Sequence, residues 1–198
     1  MLNKNYLKLK NLRGRLYFSP VDLQDLLQLR SASALVLCSR YVKNGFFIRL
    51  KRNFYALEEN WEKLSQADLF RLSNVLQVPS YISFMTALSF YEITTQVQRN
   101  FYESACLKRS KKIDVRGRVF NFYKLKKELY FDFFRKDDIF LATKEKAFVD
   151  SVYLYSFGKY KLDFASLDIG KLDKQRVKEI IKVFPQKTRE IVKKLCKI

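Results

Sequence analysis

Apolar side chains recur first at helical spacing and then in two short extended runs, and that order predicts the first domain. Residues 2–13 alternate apolar and basic positions, with Leu2, Tyr6, Leu9 and Leu12 near helical spacing and Gly14 as the stop. Ser19-Pro20 signals a second helix: Ser as N-cap, Pro at the first helical position, Asp22 in the first turn. Val21, Leu23, Leu26, Leu27 and Leu29 give it an apolar face. Ser31-Ala32-Ser33 breaks this helix and caps the next. Leu35, Cys38, Tyr41 and Val42 mark the apolar side of that one, and Asn44-Gly45 ends it. Residues 46–50 and 54–57 then read as two strands joined by the basic turn Lys51-Arg52-Asn53. Helix, helix, short break, helix, hairpin is the order of a winged helix-turn-helix.

Beyond residue 60 the pattern is mixed. An apolar helix runs through Leu64, Leu69, Leu72 and Val75, and Pro79-Ser80 breaks it. Residues 81–91 are apolar on all sides and predict a buried helix. Strand-like runs follow at 95–106, 112–116, 119–125, 129–134 and 139–142, with Gly117 as a hairpin turn. Thr143 caps a helix over 144–157, and two more helices, 173–183 and 186–195, flank Pro185. The fold class expected is α+β, with a winged helix-turn-helix over residues 1–60 and a mixed sheet-and-helix domain over 61–198.

Charge sharpens this picture. The 198 residues carry 39 Lys+Arg against 20 Asp+Glu, a formal net charge of +19. The excess is +7 over residues 1–60 and +13 over 108–198, with a nearly neutral stretch between them. Such a surplus favours polyanionic partners. With a helix from about residue 33 in the major groove, Ser31, Ser33, Ser39, Arg40 and Lys43 are its polar contacts. The hairpin places Arg49, Lys51 and Arg52 against the backbone or in the minor groove. A second basic run holds Lys108, Arg109, Lys111, Lys112, Arg116 and Arg118.

Three stretches resemble the AbiEi-type antitoxins, DNA-binding partners in abortive-infection toxin–antitoxin systems. Residues 35–45, LVLCSRYVKNG, followed by 48–55, IRLKRNFY, are similar to the family's wing pattern L-V-K-x-G … I-x-R-L-x-R-G-x-Y. Residues 78–88, VPSYISFMTAL, resemble P-x-Y-I-S-x-x-S-A-L, and residues 142–150, ATKEKAFVD, resemble A-T-x-E-K-A-L-x-D. In order and spacing these cover roughly residues 18–157. The resemblance implies a bacterial repressor that binds inverted repeats in its own promoter through the winged helix. It also implies a C-terminal domain counteracting a co-encoded nucleotidyltransferase-like toxin, so that the second basic run meets DNA or toxin. Asn53 stands where the family has its wing glycine, and the expected recognition helix is poor in polar residues.

Catalytic equipment is sparse. Histidine is absent, which excludes mechanisms that need an imidazole. No Gly-Ser…D-x-D set, P-loop or dinucleotide fingerprint occurs. Asp137-Asp138 reads as a turn with local ion pairing, and Glu145 and Asp150 lie five apart on one expected helix without sharing a face. Cys38, Cys106 and Cys196 are isolated, so no metal site and no cofactor is expected, and unpaired thiols point to a reducing compartment. With neither an apolar leader nor an 18-residue apolar run, the expectation is a cytoplasmic, non-enzymatic protein. Two other classes compete: a protein-interaction module, and an RNA-binding sheet stacking bases on Phe101, Tyr102, Phe120, Phe122 and Tyr123.

Overall fold

A computed structural model describes residues 8–96 and 98–198. It is a mixed α+β structure with one two-stranded and one six-stranded sheet. The chain divides into two compact units, Met1–Leu72 and Ser73–Ile198, so the division falls inside a helix rather than at residue 60. The start of the helix expected over 2–13, with Leu2 and Tyr6, lies outside the described residues; Lys10–Leu12 form a 3-10 turn.

In the first unit, α1 (Pro20–Leu27) begins as anticipated. The Ser19 hydroxyl accepts from the Asp22 N–H while Asp22 accepts from the Ser19 N–H, a reciprocal capping box. It stops at Gln28, whose φ of +55° is left-handed, two residues short of the expected end. Helix α2 (Ser31–Lys43) starts earlier than expected. Arg30 holds the N-cap position in extended conformation and no side chain caps the helix, so Ser31 and Ser33 lie in its first turn and are not its caps. The buried stripe is Ala34, Leu37 and Cys38, with Tyr41 half-buried, and Leu35 is 43% exposed instead of facing the core.

Strands β1 (Phe47–Lys51) and β2 (Phe54–Leu57) pair antiparallel, with an irregularity between Arg49 and Lys51. A one-residue bridge joins Phe18, just ahead of α1, to Tyr55: each N–H donates to the other's carbonyl, at 2.8 and 2.9 Å. The hairpin is thereby tied to the helices. The Phe18 and Phe47 rings meet edge-on at 4.8 Å, and Tyr41 meets Phe47 at 5.0 Å. Full burial of each such ring contributes about 1.5–3 kcal/mol.

Helix α3 (Glu58–Trp61) is a single turn and α4 (Gln66–Leu76) leads into the second unit. There β3 (Ser80–Ile82), β4 (Phe101–Cys106), β5 (Lys111–Val115), β6 (Arg118–Lys124), β7 (Phe133–Lys136) and β8 (Ile139–Ala142) form a sheet in the order β5-β6-β4-β3-β8-β7. β3–β8 and β4–β6 are parallel and the other pairs antiparallel. Residues 81–91 are not one helix: β3 comes first, then α5 (Phe84–Phe90). The strand expected at 129–134 is a 3-10 turn at Lys127–Leu129 and then β7. Asp137-Asp138 is the β7–β8 turn, with Asp138 ion-paired to Arg135. α6 (Lys144–Ser156) is capped by Thr143, and α7 (Lys174–Ile181) and α8 (Gln186–Cys196) complete the chain.

The second unit has a charged centre. Lys146 and Asp150, one turn apart on α6, form an ion pair with both side chains fully buried. The Tyr81 and Ser83 hydroxyls each donate to Asp150 Oδ2 at 2.9 Å, and Lys146 Nζ donates to the Tyr81 oxygen at 3.0 Å. The rings of Tyr81, Phe131 and Phe184 surround the ammonium at 5.2–5.6 Å. Burial pushes the Asp150 carboxyl up and the Lys146 ammonium down, and each charge opposes the shift of the other. Removing one partner therefore costs more than removing both. Asp150→Ala or Lys146→Met is expected to destabilise the protein by about 3–5 kcal/mol in urea titration, and the double change Lys146→Met/Asp150→Leu by clearly less. Additive losses would show that the two charges are not coupled.

Candidate nucleic-acid interface

Helix α2 buries one stripe and presents the opposite one. Positions 32, 36, 39, 40 and 43 share the outer face, and all five are exposed. Its middle is apolar: Val36 is 66% exposed, beside a groove of about 390 Å³ lined by Leu29, Ala32, Ser33, Val36, Leu37 and Arg40. Its C-terminal turn is cationic, with Arg40 and Lys43 where positive charge suits the helix dipole. The Arg40 guanidinium lies 5.8 Å from the Tyr41 ring centre. The Ser39 hydroxyl donates to the Leu35 carbonyl at 3.1 Å, which occupies its one proton.

The hairpin carries the other three expected contacts. Arg49 is exposed on β1 opposite Tyr55, and Arg52 is exposed in the turn. Lys51 Nζ sits 4.1 Å from the centre of the Phe54 ring, and Phe54 packs on Tyr17 at 5.4 Å. This ammonium is held in place by its neighbours and lies over an aromatic face. Of the seven expected residues, Ser31, Ser33, Arg40, Lys43, Arg49 and Arg52 are exposed and Lys51 is half-exposed, all within one compact unit.

The second basic run does not form a single patch. Lys108, Arg109, Lys112 and Arg116 are exposed. Lys111 is half-buried: its Nζ donates to the Leu76 carbonyl at 3.3 Å and lies 5.5 Å from the Phe122 ring, and burial lowers its pKa. Arg118 is 8% exposed, because it falls in phase with buried Phe120 and Phe122 along β6, and its charge acts on the Tyr102 hydroxyl. The same alternation removes most of the expected base-stacking platform. Tyr102, Phe120 and Phe122 are buried, and only Phe101 and Tyr123 are partly open.

Elsewhere the chemistry is quiet. The three cysteines are free and buried, and burial pushes the Cys38 thiol up to about 11, so it stays protonated at neutral pH. Among the described residues, no group of three or more Cys, Asp or Glu side chains is placed to hold a metal ion, and no helix is long and apolar enough to cross a membrane. No protein-family model, curated protein or solved structure matches the chain.

Sequence reasoning missed the Lys146–Asp150–Tyr81–Ser83 network and Glu103, a buried carboxyl on β4. For the first, the i, i+4 spacing of Lys146 and Asp150 was the available signal; for Glu103, an acidic residue in an apolar strand was the only one.

Asn53 stands at the hairpin tip with φ +61°, a left-handed conformation that Asn and Gly accept and β-branched residues resist. Asn53→Gly is expected to leave the melting temperature nearly unchanged, and Asn53→Val to cost about 1–2 kcal/mol. A Val variant as stable as the parent chain would mean that the turn relaxes to another geometry.

Proposed function

We propose that the first unit is a winged-helix module that binds duplex DNA, and that the chain is a non-enzymatic DNA-binding antitoxin and autorepressor of the AbiEi type. One observation carries the reading: a cationic hairpin (Arg49, Lys51, Arg52) and the cationic end of α2 (Arg40, Lys43) stand exposed or half-exposed on a single compact unit. The Phe18–Tyr55 bridge supports it, since a hairpin fastened to the helical core projects its tip with defined direction. In this reading α2 lies in the major groove and the hairpin meets the phosphate backbone or minor groove. The second unit counteracts the co-encoded nucleotidyltransferase-like toxin, and Lys108, Arg109, Lys112 and Arg116 are its exposed cations for an anionic partner.

A second reading rests on the apolar middle of α2. Exposed Leu35, and exposed Val36 where it lines a groove, suit a protein partner as well as thymine methyl groups. One titration separates the two. In gel-shift experiments on the chain's own promoter across a salt series, Lys51→Glu/Arg52→Glu is expected to reduce binding to the level of random duplex. The slope of log affinity against log salt falls by about 2 while the circular dichroism spectrum is unchanged. Unchanged affinity and slope remove the hairpin as a DNA contact, and equal binding of promoter and random DNA by the parent chain favours the protein-docking module.

A further inference from the structure

Strand alternation sets Glu103 of β4 on the same face of the sheet as Asn121 and Tyr123 of the parallel neighbour β6, the face that the start of α5 covers. Three other pieces of chain converge on its carboxyl. Oε2 accepts from the Tyr160 hydroxyl at 2.7 Å and from the Met85 N–H at 3.2 Å, and Oε1 accepts from the Tyr123 hydroxyl at 3.3 Å. Met85 lies in the first turn of α5, where N–H groups have no acceptor within the helix, so the carboxyl supplies one. The Tyr160 oxygen stands 3.4 Å from the same N–H. Tyr160 belongs to the segment that follows α6, and its ring meets Tyr123 edge-on at 5.5 Å and Phe84 at 5.7 Å. One side chain of β4 thus ties together β6, α5 and the segment after α6.

This junction is held under two strains. Glu103 is 2% exposed, and among the described residues its carboxyl bonds to two phenols and one amide and to no cation. A carboxylate buried without a counter-charge loses its hydration, and neutral donors replace only part of it. The ionisable groups around it are few. α5 has no ionisable side chain, β6 brings the Tyr123 phenol, and the segment after α6 brings the Tyr160 phenol with Lys159 and Lys161, both exposed to water. Asp150, which accepts from the Ser83 hydroxyl beside this turn, is paired with Lys146. The second strain is in the backbone. Phe84 adopts φ +56°, a conformation that a bulky L-residue resists. The Ser83 N–H, donating to the Glu103 carbonyl at 3.1 Å, holds it on one side and the Met85 N–H on the other. An open cleft of about 510 Å³, lined in part by Met85, Glu103, Tyr123 and Tyr160, adjoins the junction, so displacement of Tyr160 hydrates the carboxyl.

We propose that Glu103 is a proton-operated latch: protonated, it keeps Tyr160 docked on β4, and on ionisation Tyr160 swings out, the Met85 N–H is released and the cleft opens to water at its floor. The protonated form fits the observed contacts. Oε2 then serves as the carbonyl oxygen for the Tyr160 and Met85 donors, and the proton on Oε1 is directed at the Tyr123 oxygen. Linkage fixes the direction of the switch. Burial pushes the carboxyl up from its ordinary 4.5 to about 7, against the hydrogen bonds from Tyr160, Met85 and Tyr123 that lower it. A carboxyl that holds its proton more tightly when buried makes the docked state fully stable below the ordinary value, weakens it as pH rises toward 7, and has little further effect above that. The ratio of docked to open chains therefore falls about tenfold between pH 6 and pH 8. The latch lies within the second unit and does not rest on the DNA-binding reading.

Hydrogen exchange of the full chain, followed amide by amide by NMR and expressed as protection relative to the intrinsic rate at each pH, tests the latch. The Met85 amide is expected to lose about tenfold in protection between pH 6 and pH 8. At pH 8 it is less protected than the amides of Phe148 and Val152, which lie buried in α6 and exchange only when the unit unfolds. In Glu103→Gln, neutral at every pH, Met85 keeps the same protection at pH 6 and pH 8. Should Glu103→Gln fail to fold by circular dichroism, the carboxyl carbon resonance of Glu103 in the parent chain takes its place, with a midpoint expected near 7. Met85 protection that is constant across this range, equal to that of Phe148 and Val152, or lost to the same extent in Glu103→Gln overturns the proposal. A carboxyl midpoint at or below the ordinary 4.5 does so as well.

Discussion

Two opposite charges buried together set the geometry of the second unit. Lys146 and Asp150 are each costly in an apolar interior, and desolvation drives each toward its neutral form. They stay together because α6 places them one turn apart and Tyr81 and Ser83 supply donors to the carboxylate. Tyr81 of β3 and Ser83 just after it thereby hold α6 at Lys146 and Asp150, while the desolvation of both charges offsets much of what the pair contributes to stability. Its influence travels along the chain. Ser83, held by Asp150, directly precedes the left-handed Phe84, and Phe84 leads to the Met85 N–H that Glu103 receives. The buried ion pair and the buried Glu103 carboxyl are thus joined through three consecutive residues.

What was legible in the sequence, and what was not, follows the range of the forces involved. Local signals read correctly: Ser19-Pro20 opened α1, Thr143 capped α6, and Asn53, Gly117 and Asp137-Asp138 marked turns. Errors came where tertiary structure set the phase. Leu35 has the spacing of a core residue, yet α2 is rotated so that Ala34, Leu37 and Cys38 face inward and Leu35 is left 43% exposed. β3 is three residues long and buried on both faces, so no alternation distinguishes it from the apolar helix that follows. Arg118 looked like one more surface cation because composition carries no phase; pairing with β4 and β5 turns it inward.

Charge alone does not make the proposed interface selective. A net +19 attracts any polyanion, and the attraction is screened by salt without regard to sequence. Selection has to come from the face that α2 presents, and that face is short of hydrogen-bonding readers. It offers Ser31 and Ser33 in an uncapped first turn, Ser39 already bonded to its own helix, the apolar Ala32, Leu35 and Val36, and the cations Arg40 and Lys43 at its far end. Small apolar side chains distinguish thymine methyl groups but leave guanine and adenine edges unread. Under the DNA-binding reading, discrimination therefore falls to Arg40 and Lys43 at one end of the helix, to methyl contacts in its middle and to the shape and deformability of the duplex. The hairpin supplies the matching constraint. Lys51 is braced over Phe54, and the strands are fastened to the core at Phe18 and Tyr55, so the tip has little freedom to follow a groove of the wrong width.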